Sequence, residues 1–219
     1  MCRYASKHAI THMTLPEAAA SPLRERQRGF TRRLIVEALS RVILETGIHQ
    51  FSMQEVADEA GVSLRTLYRY FPTREDLLAG LAVEADQTLR EAGFPPTVNS
   101  LSSDGIAVLV DDLWRAMGKR PDLVRALVIA NMATGFQFGP RKEHHQLLRH
   151  SVESMTPQLT SKEQHRMYAV IRYLAGSLAW KVLTDDFGLE TEDAAETAAW
   201  AIRTLIRDIE AGGRPGGRS

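Results

Sequence analysis

Cysteine is almost missing from this chain. Its 219 residues include one, Cys2, so no disulfide can form within the chain, which suits a reducing compartment. Net charge is missing as well: 27 Lys and Arg balance 27 Asp and Glu. Bulk attraction to nucleic acid or membrane is therefore not indicated. Long apolar runs are absent. The aliphatic stretch 106–110 falls far short of the roughly 20 residues a membrane span needs. The first 25 residues hold no apolar run long enough for a signal peptide. These absences predict a soluble, cytoplasmic protein. The alternating pattern of a half-buried strand is also absent, and so are internal repeats.

Catalytic signatures are missing too. A di-iron bundle needs Glu-x-x-His on facing helices, and none occurs. Neither the phosphate-loop pattern G-x-x-x-x-G-K-[ST] nor the nucleophile pattern G-x-S-x-G is present. An enzyme on a helical bundle is thereby disfavoured, and no cofactor is implied. His144, His145, His150 and His165 lack the spacing of metal ligands. His144 and His145 are adjacent, so on one helix they point about 100° apart, and no cysteine accompanies them. No metal site is expected.

What remains is helix. The spacing predicts an all-α fold of about nine helices. Residues 1–23 read as a flexible arm and 24–73 as a three-helix unit. Residues 74–211 read as a larger helical domain and 212–219 as a disordered tail. Leu34, Ile35, Ala38 and Val42 share one face of the first helix, which Gly47 stops. Ser52 with Glu55, and Thr160 with Glu163, are capping boxes. Thr73 with Asp76 starts a helix to about residue 91. The box at Thr160 starts a helix of about 25 residues that stops near Gly188.

The charges are unevenly placed. Residues 1–74 hold 11 Lys and Arg against 7 Asp and Glu; residues 75–219 hold 16 against 20. A basic front on an acidic body points weakly to a polyanionic partner at the N-terminal end. The front also contains a capped helix, a Gly61 turn and a short helix that Pro72 ends. That is the layout of a helix-turn-helix. At 100° per residue, Leu64, Leu67 and Phe71 fall on one side and can pack on Val56, Ala60 and Val62. Arg65 and Arg69 fall on the other, flanked by Thr66 and Tyr68. Arginines so placed can bond guanine O6 and N7 in a major groove. Tyr70 and Arg74 lie near the helix end, within reach of phosphates. The start of the helix capped by Ser52 can also face a phosphate. Arg24, Arg26, Arg28, Arg32 and Arg33 form either an arm that tracks phosphates or a solvated flank.

The stretch FSMQEVADEAGVSLRTLYRYFPTREDLLAGL, 51–81, resembles the DNA-binding signature of the TetR/AcrR family of transcriptional regulators. The A-G-V-S turn, T-L-Y, the Y-F pair and the acidic-Leu-Leu run all match. Arg65 departs from the pattern, since many members carry glycine there. The resemblance implies a recognition helix at 63–70 with Ser63, Leu64, Arg65, Thr66, Tyr68 and Arg69 toward DNA. It also implies Ser52 and Gln54 approaching DNA, and Tyr70 and Arg74 on phosphates. The face analysis places Leu64 partly inward. The partner implied is a double-stranded DNA operator.

One small recognition helix buries little surface, so a two-fold dimer reading paired half-sites is expected. In the last helix, Ala195, Ala198, Ile202, Leu205 and Ile209 are spaced 3, 4, 3, 4, a heptad seam. The preceding helix offers Ile171, Leu174 and Leu178. With the resemblance, these predict a homodimer interface; the same stripes would serve as intrachain core, and some must. Between them the apolar set is soft. Trp114, Met117, Met132, Phe136, Met167, Tyr168 and Tyr173, with Trp180 nearby, are the candidate lining of a small-molecule cavity. Each could equally be plain core. The resemblance implies a ligand-responsive repressor, freed from a palindromic operator by a hydrophobic or amphipathic effector. Control by a protein partner, or action as an activator, is the alternative.

Overall fold

The computed structural model describes residues 22–94, 100–135 and 142–216, with the side chains of 22 and 142–144 left aside. Most of the expected arm, Phe136 and residues 217–219 lie outside the described residues. Those described form ten α-helices and one π-helical turn, with no strand. In chain order these are α1 (Pro22–Thr46), α2 (Met53–Glu59), α3 (Leu64–Tyr70), α4 (Arg74–Glu91), α5 (Ser103–Gly118), α6 (Pro121–Thr134), α7 (Lys142–Met155), α8 (Ser161–Leu174), α9 (Ser177–Lys181) and α10 (Thr191–Glu210). The π-turn, Val182–Asp186, joins α9 to the loop before α10.

Local chemistry sets most boundaries. Ser52 and Thr73 cap α2 and α4, each in a complete capping box. Ser63 caps α3 by accepting from the Thr66 N–H. Gly47 and Gly135 take positive φ after α1 and α6, a conformation open to residues without a Cβ. The helix expected to run from 160 to about 188 is instead broken. Gly176 is extended (φ −85°, ψ 155°), so α8 stops at Leu174 and α9 is a separate piece of five residues.

Two cores organise the bundle. The first joins Ile35, Leu39 and Ile43 of α1 to Val56, Leu67, Phe71, Leu77 and Leu81, and takes in Leu123 and Leu127 of α6. The three-helix unit thus shares its core with α4 and α6. Gly80 in mid-α4 fits this contact. A Cβ there would sit 2.8 Å from a Phe71 ring carbon and 3.2 Å from a Val36 methyl. Glycine is a poor helix former, yet any larger residue would push Phe71, and α3 with it.

The second core is the body. Here α10 lies along α5, and Ala195, Ala198, Ile202 and Ile209 are buried against it with Ile106, Val110 and Trp114. The expected dimer seam of α10 is therefore intrachain core, with Leu205 packed beside it. Ile171 is fully buried in the same cluster and Leu174 packs against it. Of the residues expected to face a partner, Leu178 alone is exposed. A 3, 4, 3, 4 stripe marks one apolar face, and α5 reaches that face first.

The expected disordered tail is partly held. Arg214 Nη1 donates to Glu163 at 3.2 Å, and Arg166 Nη1 donates to the Pro215 carbonyl at 3.0 Å. Glu163 also completes the α8 capping box with Thr160. The Thr160 hydroxyl, then its backbone N–H, with Arg214 adding to them, pull the Glu163 carboxyl from 4.5 down to about 2. A native carboxyl lowered in this way stabilises the fold above its ordinary value; that stability is lost as pH falls from 4.5 toward about 2. Glu163→Gln should lower the neutral-pH urea midpoint and flatten its dependence across that window. An unchanged acid slope would show that Glu163 contributes nothing there.

Candidate nucleic-acid interface

The seven residues of α3 cannot hold a helix in water alone. Burial holds them. Leu67 is 0% and Phe71 1% exposed, and each such side chain contributes roughly 1.5–3 kcal/mol. Leu64 and Tyr70 pack partly against the same core, so Leu64 is turned inward as the face analysis places it. The opposite edge is open: Arg65, Tyr68 and Arg69 are all exposed, and the Arg69 guanidinium lies 5.3 Å from the Tyr70 ring centroid. Three of the expected base-reading side chains therefore project together from a clamped helix. Thr66 is half-buried, and its hydroxyl accepts from Ser63 Oγ at 2.9 Å. Both hydroxyls are thus engaged in starting the helix.

The start of α2 carries the expected capping box. Glu55 Oε2 accepts from the Ser52 N–H at 2.7 Å and from Ser52 Oγ at 2.9 Å. The Ser52 N–H, and after it the hydroxyl, hold the Glu55 carboxyl below the usual carboxylate range. Gln54 is exposed, with its amide donating to Asp58 at 2.7 Å.

Arg74 is a structural staple, against the expectation of a phosphate contact. Its Nη1 donates to the Phe51 carbonyl at 2.5 Å and its Nη2 to the Ile48 carbonyl. Its guanidinium stacks 3.6 Å from the Phe51 ring centroid. It thereby closes the turn between α1 and α2 onto the start of α4. Arg74→Ala should lower the urea midpoint and leave the salt dependence of DNA binding intact. Loss of a phosphate contact would instead reduce the slope of log K against log salt by about one.

The first helix runs ahead of this unit. Arg24, Arg26 and Arg28 are exposed on it. With Gln27, Phe30, Thr31 and Tyr70 they line an open groove of about 670 Å³. Tyr70 and the arginine-rich start of α1 therefore share one basic surface beside α3. Arg32 is drawn inward, 4.5 Å from the Phe71 ring centroid. Gln27 and Thr31 carry no motif that would mark these places, because only tertiary contact brings α1 beside α3.

The candidate ligand residues divide. Trp114, Met117, Met167 and Tyr168 meet in the body core. Met132 and Tyr173 are 70% and 54% exposed, so neither lines an enclosed site. His150 and His165 are exposed. No described helix is long and apolar enough to cross a membrane.

The family model for bacterial regulatory proteins of the tetR family matches residues 35–81, which run from α1 through α3 into α4. The HTH-type transcriptional repressor KstR of Rhodococcus jostii is 32% identical over 124 residues, 56% of each chain. KstR of Mycobacterium tuberculosis is 25% identical over 201 residues, 90% of each chain. In fold, the chain is similar to the TetR family regulator PfmR of Thermus thermophilus. The TM-score is 0.59 at 16% identity, covering 78% of this chain and 97% of that one.

Proposed function

Because the chain belongs to the TetR family of bacterial transcriptional regulators, DNA-binding proteins and not enzymes, we propose that it is a cytoplasmic repressor. In this reading it binds a palindromic operator as a homodimer and is released by a hydrophobic or amphipathic effector. The observation that carries the reading is the clamped α3 edge, where Arg65, Tyr68 and Arg69 are exposed above buried Leu67 and Phe71. Two relatives named as repressors support the sign of regulation.

The dimer surface lies on the outward faces of α8 and α10. These helices pack on each other while Val170, Tyr173 and Trp200 remain 46%, 54% and 63% exposed. Trp200 sits about 160° from buried Ile202 around the α10 axis. Large apolar side chains grouped outside a satisfied core favour an interface. The effector acts in the body, where Trp114, Met117, Met167 and Tyr168 share one core. Effector binding favours a subunit arrangement whose recognition helices no longer match the half-sites.

Selection of bound duplexes from a random pool tests this reading. The wild-type protein should recover an inverted repeat with half-sites one helical turn apart, or a multiple of it. The Tyr173→Glu, Trp200→Glu double variant should sediment as a monomer and recover at most one half-site. Recovery of the full repeat by a monomeric variant would refute the dimer surface; no sequence enrichment by the wild type would refute the operator reading.

A further inference from the structure

Trp114 of α5 and Trp180 of α9 are the largest fully buried side chains of the described molecule. Both belong to the body core, where α5 and α9 pack against each other. Neither indole N–H has a hydrogen-bond acceptor among the described residues. An indole nitrogen can only donate. An unpaired buried donor is costly and uncommon, and one core here holds two.

No described side chain or carbonyl accepts from either indole. The buried polar side chains described are Ser40, Glu84, Ser151 and Thr156. Ser40, Ser151 and Thr156 each donate to the carbonyl four residues back in their own helices. Glu84 receives Arg120. The fitting complement accepts hydrogen bonds and donates none. It is also uncharged, since Glu84 is the one Asp, Glu, Lys, Arg or His buried among the described residues and it is already paired with Arg120. The cation above Trp180, Arg125 at 5.4 Å from the ring centroid, is bound to Asp185 at 2.7 Å and to Asp122 at 3.7 Å.

Trp180 rides on the shortest α-helix of the described residues. The five residues of α9 lie between the extended Gly176 and the π-turn, an irregularity that recurs at functional sites. Its outer end is tied by Lys181 and Arg125 to Asp185, at 3.1 and 2.7 Å. Displacing so short a segment breaks few backbone bonds.

We propose that Trp114 and Trp180 are the donor pair of the effector site, which opens where α9 packs on α5. The effector is then an uncharged apolar molecule bearing carbonyl oxygen, a ketone or ester, and neither a carboxylate nor an amine. This rests on the reading of the body as an effector-binding unit.

The test uses full-length protein with ¹⁵N-labelled indoles, assigned by Trp→Phe substitution at each of the three tryptophans. The probes are 2-decanone and methyl decanoate, against decanoate and decyltrimethylammonium below their micelle concentrations. The neutral pair should move the Trp114 and Trp180 indole protons downfield and leave Trp200 in place, and the charged pair should not. The preference for 2-decanone over 1-decene should fall about fivefold in Trp180→Phe, the size of one neutral hydrogen bond. A purely packing role would leave that ratio unchanged. Unmoved indoles with both neutral probes, equal shifts with the charged probes, or an unchanged ratio would each overturn the proposal. Protein that binds a selected operator yet shows no indole shift sinks this inference alone; protein that selects no operator sinks the reading beneath it.

Discussion

Arg65→Ala with Arg69→Ala should reduce operator affinity by about a thousandfold or more, to the level of scrambled DNA. A good bidentate arginine–guanine pair contributes about 1–3 kcal/mol of discrimination. In the proposed dimer, two arginines from each subunit would give about four such contacts. That total spans the whole gap of roughly 4–10 kcal/mol between specific and non-specific binding. The fold should survive, because both side chains are exposed and Leu67 and Phe71 stay buried. Exposed substitutions usually shift stability by about 0.5 kcal/mol or less. Equilibrium titration against the operator and a scrambled duplex at one salt concentration provides the measurement. A double variant that keeps the wild-type ratio of the two affinities would show that bases are read elsewhere. The single variants sharpen the result: Arg65 stands where the family's pattern often has glycine, so Arg65→Gly should relax preference at one position of each half-site and leave the others.

The face of α3 was legible because burial there follows the helical period. Leu64, Leu67 and Phe71 recur every three or four residues and Arg65 and Arg69 oppose them, whatever the rest of the chain does. Arg74 was not legible, for the opposite reason. The carbonyls it grips belong to Ile48 and Phe51, more than twenty residues away, and no spacing rule announces them. The α10 stripe failed in a third way. Its 3, 4, 3, 4 spacing correctly marks the apolar face of a helix, but periodicity carries no information about whether α5 or a second copy covers it. Gly176 was ambiguous on its own terms, since a glycine within a helical pattern either stays in the helix or ends it. The capping box at the start of α2 was legible because its Ser and Glu are local in sequence. Glu84 lies in mid-α4 and is 5% exposed, a burial that no local motif marks.

That buried glutamate leads to the second large effect. Arg120, at the turn between α5 and α6, gathers three partners from two other helices. Its Nη1 donates to Glu84 at 3.4 Å and to Thr88 Oγ1 at 3.2 Å, both on α4, and its Nη2 donates to Glu37 of α1 at 3.2 Å. This cluster joins the turn that starts α6 to the helices carrying the DNA-reading unit. Arg120→Met should destabilise the protein by about 3–5 kcal/mol, because it leaves the Glu84 charge buried without its partner. Adding Glu84→Leu should recover most of the loss, since apolar side chains of similar volume commonly replace a buried ion pair at little net cost. Urea midpoints of the two single variants and the double variant form a cycle whose coupling term isolates the pair. A double variant no more stable than Arg120→Met would assign the loss to Arg120's contacts with Glu37 and Thr88. A single variant within about 1 kcal/mol of wild type would show that Glu84 finds water instead. The restored double variant carries the functional question further. It would be folded but lack the ionic tie among α1, α4 and the α5–α6 turn, so its recognition helices should tolerate operator half-sites moved one base pair closer or farther apart better than the wild type does.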